Sequence, residues 1–439
     1  MTRYRPPSRS DQLDALFACP LIHDIAHDLE GLGRRKRHHP IAMHLAFGAM
    51  ARLYHSSNRL DAELLSGDTW NQIVDRYNQG AALHQYGVPM HAVTPVLLTD
   101  TYRHVRDVLA RGDILESLQL AFTEHSVTIA HQLGLLLSEG AGSRTRPPRS
   151  RTIYGDGTVV RPLYNKTTQG RHDPDAEDQV RDDGVVYGND LVAIAARGAD
   201  PNHRVVLAVG WVHERNREAD EAVRLVRMVH DVAGDGIQAV VYDGAFRGIH
   251  HELLMSELGL VVVNKVHPAA ENDDRRTYRK VALGQRHHDV RGRTCTHTFV
   301  AWNGSVHDVT LDDGGKLVLS APLVRKQVRR FARGHDLGWR FTLGVIVPCP
   351  REPFVAWISP HRQPGDQGNG RPDQLRLLPE SDPYFQTLYG IRNDSESINS
   401  AYKRTLIVDR AAAQGWQRQV LDLMSWGLLT NTLAWWIIK

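Results

Sequence analysis

Ile237-Gln-Ala-Val-Val-Tyr-Asp243-Gly-Ala-Phe246 is an almost unbroken apolar run that stops at a carboxylate. A strand buried on both faces has this pattern, because helices covering both sides of a parallel sheet leave no face for alternating polar residues. The flanking stretches are consistent with that reading. His250–Leu258 reads as a short helix and Leu260–Val266 as a second buried strand. Upstream, Glu214–Ala233 carries Ala222, Val223, Leu225, Val226 and Val229 at helical spacing. Before that helix, Leu191–Arg197 and Arg204–His213 are strand candidates rich in Val and Ile, and Arg151–Gly155 is a shorter one ending at Asp156.

The order is strand, strand, strand, helix, strand, helix, strand, an antiparallel meander followed by βαβα crossovers. This is a ribonuclease-H-like order, so the expected fold class is α/β, a mixed sheet with flanking helices. Residues 1–140 are expected to be all helical, with apolar residues at helical spacing over Ile41–Tyr54 and Leu115–Leu137. Residues 141–151 belong to a Gly-, Ser-, Pro- and Arg-rich linker. The sheet domain is expected over 152–267 and 381–439, interrupted by a β-rich insertion over 268–380. Strand-like runs there are Thr298–Trp302, Lys316–Leu319, Trp339–Val347 and Phe354–Ile358. Ser381-Asp382-Pro383 signals a helix start, and that helix is read as far as about Ala412.

Composition excludes little. Hydrophobic residues make up 41% and charged residues 23%, as in ordinary soluble proteins. The net charge of +3 does not by itself argue for nucleic acid. Cys19, Cys295 and Cys349 form no CxxC pair, which excludes a zinc ribbon, and so sparse a set fits a reducing cytosol. The N-terminus has no apolar signal-peptide core. The Leu- and Trp-rich C-terminal stretch contains Asp422 and Asn431, so it reads as a buried helix and no membrane partner is expected.

Three carboxylates stand out by position. Asp156 and Asp243 each end a strand, and Glu396 lies on the late helix. Ligands of open α/β sheets collect at the carboxyl ends of strands. Carboxylates converging there repel one another unless a cation neutralises them, and oxygen-only donors suit Mg²⁺ or Mn²⁺. Two such ions can activate an attacking oxygen and stabilise a leaving one on a phosphodiester.

The helix around Glu396 reads Tyr389-Gly-Ile-Arg392-Asn-Asp-Ser-Glu396-Ser-Ile-Asn-Ser-Ala-Tyr-Lys403. On one helix, at ~100° per residue, the four numbered side chains would share an arc of roughly 60°. The spacing Y-(2)-R-(3)-E-(6)-K resembles the signature of bacterial insertion-sequence DDE transposases whose catalytic domain carries a β-strand insertion before the final Glu. Asp156-Gly-Thr158 and Asp243-Gly-Ala-Phe246 are similar to the other two motifs of that family. The resemblance covers about residues 150 to 430.

The resemblance implies that Asp156, Asp243 and Glu396 are catalytic and hold two Mg²⁺ ions, with Mn²⁺ as a substitute. Double-stranded DNA, both element ends and target, would be the substrate. One strand is cut at the element end, and the freed 3′-hydroxyl then attacks target DNA. Tyr389, Arg392 and Lys403 would hold the DNA backbone, with Asn264 and Lys265 as further contacts and Arg247 a weaker one. A homodimer on DNA in the bacterial cytoplasm, associated with the nucleoid, is implied too. The helical region 1–140 would bind the element ends; the basic run 33–39, from its residues alone, is a solvated loop or a phosphate-contacting arm. The basic and apolar segment Val324–Arg333 is a DNA-contacting segment or a surface strand. Family members stack an insertion Trp on a flipped base, which makes Trp302, Trp339 and Trp357 candidates.

Two other readings remain open: a ribonuclease-H-like nuclease or resolvase without strand transfer, and a DNA-binding relic without catalysis. Other motifs lack their partners. His250-His251-Glu252 is not HExxH, and Cys295-Thr-His297 has no second half. Asp173-Pro-Asp-Ala-Glu-Asp178 lacks the Gly of a calcium loop and is expected to be an acidic, solvated loop.

Overall fold

The computed structural model describes residues 7–29, 39–91, 98–140, 142–168, 170–181, 184–200, 203–267, 279–311, 314–334, 338–366 and 370–437. Helices come first: α1 (Arg9–Ala18), α2 (Leu21–Asp28), α3 (Ile41–Leu53), α4 (Ser57–Leu64), α5 (Gly67–Ala81), α6 (Leu98–Leu109) and α7 (Gly112–Gln132). Then follow β1 (Thr152–Pro162), β2 (Glu177–Arg181), β3 (Gly184–Arg197), β4 (Arg204–Trp211), α8 (Glu218–Ala233), β5 (Ala239–Val241), α9 (Gly248–Ser256) and β6 (Val261–Val263). A β-rich stretch comes next: β7 (Val281–Val290), β8 (Arg293–Trp302), β9 (Ser305–Leu311), β10 (Leu317–Leu319), β11 (Val324–Ala332), β12 (Trp339–Val347) and β13 (Phe354–Ile358). The chain closes with α10 (Arg371–Gln374), α11 (Phe385–Tyr389), α12 (Arg392–Lys403), β14 (Arg410–Ala411) and α13 (Trp416–Ile437).

The protein is therefore mixed α/β, with a helical N-terminal region and a mixed sheet. Read through its pairings, the main strand order is β4-β3-β1-β5-β6. β3 and β4 are antiparallel, while β1, β5 and β6 are parallel. β2 extends β3, and β14 runs beside the far end of β1. Among the described residues, no helix is long and apolar enough to cross a membrane.

Two compact units divide the chain, and the boundary falls inside β1. One comprises 1–136, 156–233 and 395–439, the other 137–155 and 234–394. The change at Leu136/Leu137 lies a few residues before the expected linker, but the units cut across the expected domains. In the first unit the N-terminal helices share a core with the strands. Val205, Val206, Leu207, Ala208 and Val209 of β4 are buried, and α7 and α13 pack against that strand. The Asn431 amide bonds both the N–H and the carbonyl of Val206 at 2.8 Å, and it donates to the Ser126 hydroxyl at 2.9 Å. Gln119 donates to the Val209 carbonyl at 2.7 Å. These bonds satisfy backbone and amide groups that would otherwise be buried without partners.

The second unit holds β5, β6 and α9, together with two antiparallel sheets, β10-β9-β8-β7 and β11-β12-β13. All four strand-like runs expected in the insertion are strands, and Val324–Ala332 of the basic segment is β11. β7 and β9 carry too much polar sequence to announce themselves. Residues 285–289 of β7 read Gln-Arg-His-His-Asp.

Four expectations need correction. β1 does not end at Asp156 but continues to Pro162, because it gains β3 and β14 as neighbours after β5 ends. The late helix is shorter and broken. α11 ends at Tyr389, Gly390 follows it, and α12 starts at Arg392. After Lys403, Val408 and Asp409 take left-handed φ values of 51° and 57° and turn the chain into β14. Leu115–Leu137 likewise ends early, with α7 stopping at Gln132. The acidic loop is not simply solvated. Asp173 is 1% exposed and accepts from Gly415 N–H, the Gln419 amide and the Asn189 amide at 3.0, 2.8 and 3.2 Å. Asp175 accepts from Trp416 N–H, the first residue of α13, at 3.1 Å. Carboxylates belong at a helix N-terminus, where the N–H groups have no partner within the helix.

Candidate functional site

Asp156 lies on β1 after Ile153 and Tyr154, both fully buried. In the first unit it meets two other elements. Glu218, the first residue of α8, presents a carboxylate oxygen within 4.8 Å of one from Asp156. Asn399 of α12 donates to Asp156 Oδ2 at 3.2 Å and to the Gly157 carbonyl at 3.3 Å. Gly157 makes the first approach possible, since a Cβ there would stand 2.3 Å from Glu218 Cδ. The Asp-Gly-Thr motif therefore has a local reason: the glycine leaves room for a second carboxylate beside the aspartate.

Glu396 lies one helical turn before Asn399, on the same side of α12. It is exposed, and Glu218, not Glu396, shares the acidic cluster with Asp156. Sequence reasoning missed Glu218. The available signal was Glu218, Asp220 and Glu221 in the first turn of the helix after the third core strand. Lys403, half-buried, ends the same helix.

Asp243 lies in the second unit, two residues beyond β5. β5 pairs in parallel with the first residues of β1 in the register Tyr154↔Val241. Asp243 Oδ1 accepts from Ala245 N–H at 2.8 Å, a side-chain turn that orients the carboxylate. The following loop is held from beneath. Phe246 is buried and stacks on Tyr242 with ring centres 4.4 Å apart.

Asn264 holds the same loop. Its amide donates to the carbonyls of Asp243 and Phe246 at 3.1 and 3.0 Å, and its Oδ1 lies 2.8 Å from both His251 Nε2 and Arg376 Nε. Burial, then the neighbouring Arg376 charge, holds His251 well below its ordinary pKa, so it donates as a neutral ring. Asn264 is 1% exposed, which removes it from the expected DNA contacts and makes it a support for Asp243.

The remaining expected contacts divide between the elements. Lys265 is half exposed, pairs with Glu380 at 3.2 Å and stands 5.7 Å from the centre of the Tyr389 ring. Burial raises the Tyr389 pKa, which keeps the hydroxyl a donor. Arg392 opens α12 and is half-buried, while Arg247 is the exposed N-cap of α9. Tyr389 is thus not on the helix that carries Arg392, Glu396 and Lys403, and the four do not form one continuous helical face.

The insertion's basic strand is largely committed to its own unit. Arg325 pairs with Asp382 at 2.6 Å, and Arg330 pairs with Asp235 at 3.0 Å. Arg330 and Arg329 cover the rings of Trp339 and Trp357 at 3.6 and 3.9 Å. Trp302 instead lines a cavity of about 360 Å³ together with Lys280 and His307. Of the basic run 33–39, residues 33–38 lie outside the described residues, and His39 is buried. No protein-family profile matches the chain, and no characterised protein matches it significantly.

Proposed function

We propose that the chain is a DDE-type transposase with a ribonuclease-H-like core, cutting DNA and joining the cut end to a target in a metal-dependent reaction. One observation carries this reading: within the first unit Glu218 at the start of α8 brings a second carboxylate to Asp156 of β1, and Asn399 of α12 bonds the same aspartate. The mixed sheet, with α8 and α9 following β4 and β5 in the chain, supports the ribonuclease-H-like part of the proposal.

Asp156 and Asp243 would be the shared ligands, with Glu396 reaching in from α12 and Glu218 from the start of α8. The donors are all oxygen, which fits Mg²⁺ or Mn²⁺. Two bound ions would supply Lewis-acid stabilisation to the attacking and leaving oxygens. The protein's own part is positioning. Asn399 fixes Asp156, Asn264 fixes the Asp243 loop, and Tyr389, Lys265, Arg392 and Lys403 offer a hydroxyl and cations to backbone phosphates. A dimer bridging both DNA ends, and action in the bacterial cytoplasm, belong to the same proposal.

The test is incubation of the full chain with DNA carrying the inverted repeats that flank its gene. Nicks at the repeat ends and joined products are expected with Mg²⁺ or Mn²⁺, and neither with chelator. Nicking without joined product would favour a hydrolytic nuclease. Binding without nicking in either metal would overturn the catalytic reading and leave a DNA-binding relic.

A further inference from the structure

The β-rich stretch of the second unit gathers three side chains of metal-ligating type, with a fourth beside one of them, that the proposed reaction does not use. β7 and β8 form a hairpin closed by Arg291 and Gly292, both at positive φ, as a two-residue turn of this kind requires. Its register places His288 directly opposite Cys295. His297, two residues further along β8, faces the same side. Cys349 arrives from the turn between β12 and β13 and is 4% exposed. Ligand atoms of His288, His297 and Cys349 all lie within 4.8 Å of one another. The Cys295 thiol stands against the Cys349 sulfur, and the structure forms no disulfide between them.

Several details go beyond chance clustering. His297 is 8% exposed, and its Nδ1 lies 2.6 Å from Asp308 Oδ2 on β9. A carboxylate on one imidazole nitrogen fixes the tautomer and leaves the other nitrogen to bind a metal. That other nitrogen, Nε2, is buried and makes no hydrogen bond of good geometry, and the same holds for His288 Nδ1. Phe354 stacks on the His288 ring at 4.1 Å and meets the His297 ring edge-on at 5.3 Å, fixing both. The Cys349 thiol is pulled down to about 6, first by the Arg351 backbone N–H and then by His288, against burial, with His297 and the Glu352 N–H adding to the effect. A buried thiolate held by backbone N–H groups is a ready soft ligand.

We propose that His288, Cys295, His297 and Cys349 bind one Zn²⁺-class ion, with Asp308 as the carboxylate behind His297. Two sulfurs and two nitrogens are a tetrahedral donor set of the closed, structural kind. The ion ties the β7–β8 hairpin to the β12–β13 turn. Cys349 lies more than fifty residues from Cys295 in the sequence, so no CxxC spacing announces the site.

Co²⁺ added to the reduced, metal-stripped full chain tests this. One equivalent is expected to give a thiolate-to-cobalt charge-transfer band and tetrahedral visible bands, both displaced by Zn²⁺. An oxygen-only site at Asp156 would give no thiolate band, so the two sites are distinguishable. Cys349→Ser should abolish the band, Cys295→Ser should weaken and shift it, and Asp308→Asn should lower metal affinity by about 10–100-fold. Should a variant fail to fold, the unmodified chain still decides the matter. Bound Zn²⁺ should protect two of its three thiols from alkylation, and chelator should expose them. No thiolate band at excess Co²⁺ with all thiols reduced, or a band unchanged in Cys349→Ser, would overturn the proposal.

Discussion

Asp156→Ala is expected to reduce metal-dependent cleavage of DNA ends by on the order of 10³-fold or more, with DNA binding little changed. Asp156 stands at the meeting point of β1, α8 and α12, so every arrangement of the proposed site would need its carboxylate as a ligand. Losing a metal ligand removes several kcal/mol of charge stabilisation, and about 4 kcal/mol corresponds to roughly 10³ in rate. Glu396→Gln is expected to lose nearly as much. Glu396 faces solvent one turn from Asn399, where a long side chain can reach an ion on Asp156. Glu218→Gln is expected to cost less, about 10–100-fold, as a group that supports the inner ligands. Glu218 is tucked against Gly157, where the DNA backbone has less room. Single-turnover cleavage rates measured across Mg²⁺ concentrations separate the three. If Glu218→Gln were the more damaging of the two glutamate changes, the third ligand would move from α12 to the start of α8. Full activity in Asp156→Ala would remove the site altogether.

How much of this was readable beforehand follows from the range of each interaction. The buried strands β4, β5 and β6 were legible because apolar continuity is a local signal, and so was α8 with its regular apolar face. The proposed ligands Asp156 and Asp243 drew attention because each follows a strand candidate. Glu218 did not, because its partner lies about sixty residues earlier and the only requirement in between is that Gly157 lack a side chain. The break at Gly390 was hidden in a stretch whose spacing suited one helix throughout. Cys295 and His297 looked like half a metal site, and the other half came from the opposite strand of a hairpin and a distant turn. Asn264 suggested a DNA contact from its place after a core strand. Burial turned the same amide inward, where its donors and acceptor brace the Asp243 loop.

The same reasoning makes Asp173→Ala the largest expected loss of stability. The acidic stretch after β1 looks dispensable by composition, yet the Asp173 carboxylate accepts from three separate parts of the first unit: Asn189 on β3, Gly415 before α13 and Gln419 within α13. Truncation would take the acceptor from the Gly415 N–H and the Asn189 amide and leave the Gln419 amide only the Ala413 carbonyl. Leaving buried donors unsatisfied costs about 1–3 kcal/mol each, so the summed loss lies far above the usual surface substitution. Asp175→Ala, which removes only the acceptor for Trp416 N–H at the helix start, should cost about 1 kcal/mol. Urea unfolding followed by tryptophan fluorescence is well placed to read both, because Trp211 and Trp416 stack 4.5 Å apart beside this junction. The midpoint should fall markedly for Asp173→Ala and slightly for Asp175→Ala. Equal, small shifts in the two variants would return the stretch to the status of a solvated loop. The proposed cleavage site would be unaffected by that outcome, since Asp173 reaches Asp156 only through the fold.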